Sequence, residues 1–116
     1  MPWTVVGTPE FVRWYMAQDA PATVRIDAAV SFLEEHGPQV RRPYVGTITG
    51  SRHQNMKELR TGSIRILFAF DPAQQAILLL GADKAAEGWN AWYRRAIPEA
   101  DRLFDAWLAD PTYDDD

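Results

Sequence analysis

Residues 56–83 read "MKELRTGSIRILFAFDPAQQAILLLGAD", and the pairing of this stretch decides the fold. Two punctuation marks divide it. Thr61-Gly62-Ser63 is small, polar and turn-forming, and Asp71-Pro72 stops whatever precedes it. Three extended runs remain: MKELR (56–60), IRILFAFD (64–71) and AILLLGAD (76–83). The connections are hairpin-short, which predicts an antiparallel meander, with YVGTI (44–48) as a further edge strand. Side chains alternate between the faces of a strand, so Ile64, Ile66, Phe68 and Phe70 share one face while Arg65, Leu67 and Ala69 share the other. The bulky row is expected to lie under helices. AILLLGAD has the continuous apolar character of a strand buried on both faces.

The helices lie outside this core. WTVVG (3–7) reads as a first strand. Thr8-Pro9-Glu10 then supplies a capping hydroxyl, a proline at the first helical position and an acid near the positive end of the helix dipole. Phe11, Trp14 and Tyr15 follow at i, i+3, i+4, in a short helix predicted to end near Asp19. Ile26, Ala29, Val30 and Leu33 predict a second helix over 21–36, stopped by Gly37-Pro38. Arg41-Arg42-Pro43 is a non-helical bridge. GWNAWYRRAIP (88–98) reads as a short helix or turn, and Ala100, Leu103, Phe104, Trp107 and Leu108 form the stripe of an amphipathic helix after Pro98.

The order β-αα-βββ-α predicts an α+β fold: a small twisted antiparallel sheet with the N-terminal helical hairpin and the C-terminal helix packed on one face. Residues 1–109 form one domain and 110–116 an acidic tail.

The chain has 116 residues, is 47% hydrophobic and 24% charged, and carries no cysteine. That composition is globular and excludes a disulfide framework, a thiol nucleophile and a thiolate metal site. The N-terminus has no basic-then-apolar signal pattern, and no apolar run approaches the ~18 residues of a membrane span. A cytoplasmic protein with no membrane contact is the expectation. Net charge is −4, against a surface that coats nucleic acid indiscriminately. Yet residues 41–65 hold Arg41, Arg42, Arg52, Lys57, Arg60 and Arg65 against one acid, Glu58.

Parity concentrates these charges further. With Leu59 facing inward, Glu58 and Arg60 face outward, and the Thr61–Ser63 turn brings them beside Arg65 on what is expected to be an open face. Lys57 shares the parity of Leu59, but at the strand end its long side chain reaches solvent. Arg52 and His53 lie in the preceding loop, within reach of the same region, and Lys84 follows the last strand. Guanidinium groups bind phosphoryl oxygens in a bidentate fork and stay charged. RNA cleavage by the 2′-hydroxyl needs that proton removed, the phosphorane charge stabilised and the 5′-oxygen protonated. Arg60 and Arg65 suit the second service; Lys57, Glu58 or His53 suit the proton transfers; Arg41, Arg42, Arg52 and Lys84 suit phosphate binding. The plainer alternative for Glu58 and Arg60 is an exposed same-face ion pair, worth under ~1 kcal/mol. Trp89, Trp92 and Tyr93 are either core or a base-stacking platform. No metal-ligand spacing is present, and no cofactor is implied.

"MKELRTGSIRILFAFDPAQQAILLLGADK", with "FLEEHGPQVRRPYVGTITGSRHQNMKELR" before it and "WYRRAIPEADRLFDAWL" after it, resembles the RelE/ParE toxin superfamily, in its HigB-like, phage-derived branch. The resemblance covers residues 24–108. It implies the toxin of a type II toxin–antitoxin system: a metal-independent mRNA endoribonuclease, typically acting at the ribosome, that inhibits translation. It implies a cognate HigA-like helix-turn-helix antitoxin, with operator DNA reached only through it. It maps the family's strand arginine onto Arg65, the polar residues of the preceding strand onto Lys57, Glu58 and Arg60, and the residue after the last strand near Lys84. A family C-terminal tyrosine has Tyr93 or Tyr113 as its counterpart. A ParE-like inhibitor of DNA gyrase, or a non-catalytic antitoxin-binding co-repressor, fits the same fold. The low sequence pI, about 5.1, departs from the basic character usual for the family.

Overall fold

The computed structural model describes residues 3–83 and 88–110. Its elements are β1 (Thr4–Gly7), α1 (Pro9–Met16), α2 (Ala20–His36), a 3-10 turn (Gly37–Gln39), β2 (Val45–Thr47), β3 (Met56–Thr61), β4 (Ile64–Phe70), β5 (Gln75–Asp83) and α3 (Trp89–Ala109). Among the described residues no helix is long and apolar enough to cross a membrane.

Local chemistry explains the boundaries. The buried Thr8 hydroxyl caps α1 by accepting from the Phe11 N–H at 3.2 Å, and it donates to the Leu78 carbonyl at 3.0 Å. Asp19 is not the end of α1 but the cap of α2, accepting from the Ala22 N–H. Gly37, at φ +57°, ends α2 and returns its N–H to the Leu33 carbonyl, a conformation favouring glycine.

β2 to β5 form the expected meander, and the order across the sheet is β1-β5-β4-β3-β2. The sheet is mixed rather than wholly antiparallel, because β1 lies parallel to β5 at its edge. The long passage through α1, α2 and the meander carries the chain back for that parallel pairing.

The parity within β4 holds. Ile64, Ile66 and Phe68 join Leu59, Ala76 and Leu78 in a core under α1 and α2, where Phe11, Ile26 and Leu33 are buried. Gly81 admits α1 here: a Cβ on it would stand 2.5 Å from the Trp14 ring.

The expectation that every helix packs on one face is corrected. α3 lies on the opposite face, burying Trp92, Ala96, Ala100, Leu103, Phe104 and Trp107 against Met56, Leu67, Ala69, Ile77 and Leu79. The physical cause is the apolar content of that second face. A bulge between β4 and β5, opposite Leu67 and Phe68, adds to it by shifting the register past Leu79. α3 is also one helix through Pro98, not two segments. Proline costs it a backbone hydrogen bond, but apolar residues on both sides of Pro98 are buried in the same cluster, which outweighs that loss.

Candidate functional site

Three separate groupings replace the single convergence expected from the sequence. The first lies beneath the start of α3. Glu58, only 2% exposed, accepts from Arg60 Nε at 2.8 Å and from the Tyr93 hydroxyl in a short hydrogen bond. Arg60 and Arg65 stand directly opposite each other across β3 and β4. Arg65 donates to the carbonyls of Gly62 (2.8 Å) and Ile64 (3.0 Å), and its guanidinium carbon lies 5.6 Å from the centre of the Trp89 ring. Trp89, Trp92 and Tyr93 pack ring on ring at 5.0–5.7 Å. Burial, then the hydrogen bond to Glu58, pushes the Tyr93 phenol up to about 12. The phenol therefore stays protonated at neutral pH and donates to the carboxylate. Arg60 and Arg65 still reach an open cleft of about 380 Å³, lined also by Pro43, Tyr44, Thr61 and Gly62. Gly46 leaves room for this packing, since a Cβ there would come within 2.9 Å of the Arg60 guanidinium.

The second grouping faces the other way. Lys57 has the parity of Leu59 and lies at the α1/α2 side of the sheet edge, opposite Thr47 on β2. With Arg41 and Arg42 it borders a cleft of about 600 Å³.

The third grouping fastens the far end of α3. Asp101, 3% exposed, accepts from the Ser51 hydroxyl at 2.5 Å and from the Arg52 N–H at 3.0 Å. Asp105 receives Arg52 Nη2 at 2.5 Å and lies 2.7 Å from His53 Nε2. The Arg52 hydrogen bond, then that of His53, holds the Asp105 carboxyl below its usual range. The His53 ring also meets Phe104 edge-on.

Of the residues selected by sequence, Glu58, Arg60 and Arg65 are brought together. Their face is not open: α3 covers it, so Glu58 is buried and only the arginines reach the cleft. Arg52 and His53 do not reach this region, because both are bonded to α3. Lys57, Arg41 and Arg42 share a different cleft. Lys84 and Tyr113 lie outside the described residues. Among the described residues no cluster of three or more His, Cys, Asp or Glu could hold a metal ion.

Sequence reasoning missed the role of Asp101 and Asp105. Their signal was present: two acids four residues apart, flanking the apolar stripe of α3, opposite a loop carrying Arg52 and His53. It read Tyr93 as core, as part of a stacking platform or as the counterpart of a family tyrosine, not as the donor to Glu58, and it gave no role to Tyr44.

The model of the family described as "Phage derived protein Gp49-like" matches residues 13–105. "Putative toxin HigB3" of Mycobacterium tuberculosis is 49% identical over 107 residues, covering 90% of this chain and 93% of that protein. "Putative toxin HigB2" of the same organism is 48% identical over 101 residues, covering 83% of this chain, which spans only 50% of that relative's length. Among solved structures, the archaeal RelE-RelB complex from Pyrococcus horikoshii superposes with a TM-score of 0.61 at 16% identity, over 75% of this chain and 100% of that one. E. coli toxin RelE in the free state, as a mutant, gives a TM-score of 0.60 at 7% identity, over 84% of this chain and 99% of that one. At such identities these two establish the fold. The family model and the HigB relatives establish kinship: this chain belongs to the Gp49-like family of phage-derived proteins, together with the putative HigB toxins.

Proposed function

We propose that this protein is a translation-inhibiting toxin that cleaves mRNA in the cytoplasm without a metal ion, and that a HigA-like helix-turn-helix antitoxin neutralises it. The observation that supports this most is the pairing of Arg60 with Arg65 across β3 and β4, at the wall of an open cleft. Like charges directly opposite each other on a sheet destabilise it. Here Glu58 offsets one charge, while carbonyls and an indole face hold the other. Two preoriented guanidinium groups suit a phosphodiester that gains negative charge during reaction.

In the corresponding step the 2′-hydroxyl gives up its proton to a base or to water, its oxygen bonds to the adjacent phosphorus, and the bond from phosphorus to the 5′-oxygen breaks. The products are a 2′,3′-cyclic phosphate and a 5′-hydroxyl, whose oxygen has taken up a proton. Arg60 and Arg65 stabilise the phosphorane. Glu58 has both oxygens occupied, so its role is to orient Arg60 and Tyr93. The toxin–antitoxin complexes of the fold relatives, RelE-RelB of P. horikoshii and RelBE2 of M. tuberculosis, support a protein antitoxin as partner.

Expression from a tightly controlled promoter tests the reading. Wild type should arrest growth and produce new transcripts with 5′-hydroxyl ends, and Arg65→Ala should lose both effects. Normal growth with intact mRNA would sink the ribonuclease reading. An Arg65→Ala variant as toxic as the parent would sink the site.

A further inference from the structure

The cleft of about 600 Å³ at the α1/α2 side of the sheet has no role in the chemistry above. Arg41, Arg42 and Lys57 border it, Thr47 and Asn55 add neutral hydrogen-bonding groups, Phe70 contributes an apolar surface, and no acid lines it. Among the described residues, none of these three cations is in an ion pair, whereas Arg13, Arg52, Arg60 and Arg102 each have a carboxylate within 4.0 Å. In a chain of net charge −4, three unpaired cations gathered in one concavity are not the overflow of a basic composition. They repel one another, and a concave low-dielectric wall focuses their field on any anion that enters.

The neighbouring structure favours a flexible anionic strand that also carries rings to stack. The bridge ahead of β2 sends Arg41 and Arg42 into this cleft and Pro43 and Tyr44 into the cleft of Arg60 and Arg65. The two cation sites thus adjoin across the β2 edge, on opposite faces of the sheet. On β3, Lys57 and Arg60 are separated by about 10 Å at the usual strand rise. Tyr44, 54% exposed and braced edge-on by Phe32 at 5.5 Å, stands at this crossing and offers a ring to a base. Only a flexible polyanion turns so sharply around a sheet edge; duplex nucleic acid, with a persistence length of about 150 base pairs, does not.

We propose that the cleft of Arg41, Arg42 and Lys57 binds a backbone phosphate of single-stranded RNA, and that the strand passes over Tyr44 to the Arg60–Arg65 pair. The assignment rests on the ribonuclease reading and adds to it a second phosphate subsite away from the cleaved bond.

A 2′-O-methyl oligoribonucleotide, which lacks the attacking hydroxyl, separates binding from cleavage. Its affinity for the full chain is read by fluorescence anisotropy across a salt series. Each phosphate neutralised on a single strand contributes about 0.7 to the slope of log K against log salt. Arg41→Ala/Arg42→Ala/Lys57→Ala should flatten the slope by at least about 0.7 and weaken binding tenfold or more. Arg41→Gln/Arg42→Gln, confined to exposed side chains, should do so in the same direction and guards against loss of fold. Unchanged slope and affinity in both variants, with wild type binding RNA, overturns the subsite and leaves the ribonuclease reading intact. No RNA binding by wild type overturns both. Loss of binding to poly-glutamate with RNA binding retained makes the cleft a protein-binding site and overturns the RNA assignment.

Discussion

Replacing Glu58 with alanine removes the acceptor of two hydrogen bonds at once, from the Tyr93 hydroxyl and from Arg60 Nε. Hydrogen bonds to a charged group contribute about 1.5–3 kcal/mol each, and stripping one partner from a buried pair costs about 3–5 kcal/mol. The Glu58 side chain is 3% exposed but that of Arg60 is 30% exposed, so the freed guanidinium regains water and the cost falls at the low end, about 3 kcal/mol. For a domain of this size that lowers Tm by about 12 °C. Urea denaturation of wild type, Glu58→Ala, Arg60→Ala and the double variant gives the coupling, expected near 1.5 kcal/mol. Glu58→Gln should keep an acceptor for Tyr93 and, under the proposed ribonuclease reading with Glu58 as a positioning group, retain much of the cleavage with an unchanged pH profile. If Glu58→Ala stays within about 0.5 kcal/mol of wild type, the value of an exposed pair, the buried cluster is refuted. If Glu58→Gln abolishes cleavage with the fold intact, the positioning role is refuted.

The raised Tyr93 pKa favours the protonated phenol in the folded state, so its contribution is complete below the unfolded value near 10 and is lost as pH rises through about 12. Alkaline titration by tyrosinate absorbance should show this late ionisation, and Tyr93→Phe should remove it while leaving that of Tyr15, also raised by its bond to Asp27. For Asp105 the direction is opposite: its pKa is lowered, so the contribution is present above the unfolded value and disappears as pH falls through the folded one. Arg52→Ala should therefore destabilise at neutral pH by thermal melting, with the difference from wild type closing in acid. Gly81→Ala drives a methyl into the Trp14 ring and should cost about 1–3 kcal/mol in urea, whereas the same change at Gly50, with open space around it, is opposed only by its φ of +97°.

What the sequence made legible follows from strand periodicity. Ile64, Ile66 and Phe68 against Arg65 is a local pattern, and it located both the core face and the arginine. The position of α3 was harder to read. The stripe from Ala100 to Leu108 says that a helix needs a surface, not which one, and Glu58, Arg60 and Arg65 made the second face look wet. A counter-signal was available in AILLLGAD, since a strand buried on both faces requires a layer on each side. The pairing of β1 with β5 depends on contacts made across most of the chain, which no local pattern encodes. At the site, parity brought Glu58, Arg60 and Arg65 together, but proximity in sequence misled for Arg52 and His53. The loop that carries them turns toward Asp101 and Asp105, acids far along the chain.

The parallel edge strand also sets an order of events during synthesis. Thr8, immediately after β1, bonds to Leu78 across 70 residues, so the first strand leaves the ribosome long before its partner exists. At about 5–20 residues per second the wait lasts several seconds. α2 and the strands β2 to β4, whose contacts are nearer in sequence, have that interval to assemble, while β1 waits for β5 and closes late. Asp101 and Asp105, which fasten α3, arrive later still. The aromatic cover over Glu58 and Arg65 is thus among the last parts to form, and a nascent chain does not carry a finished Arg60–Arg65 site while it is still being made.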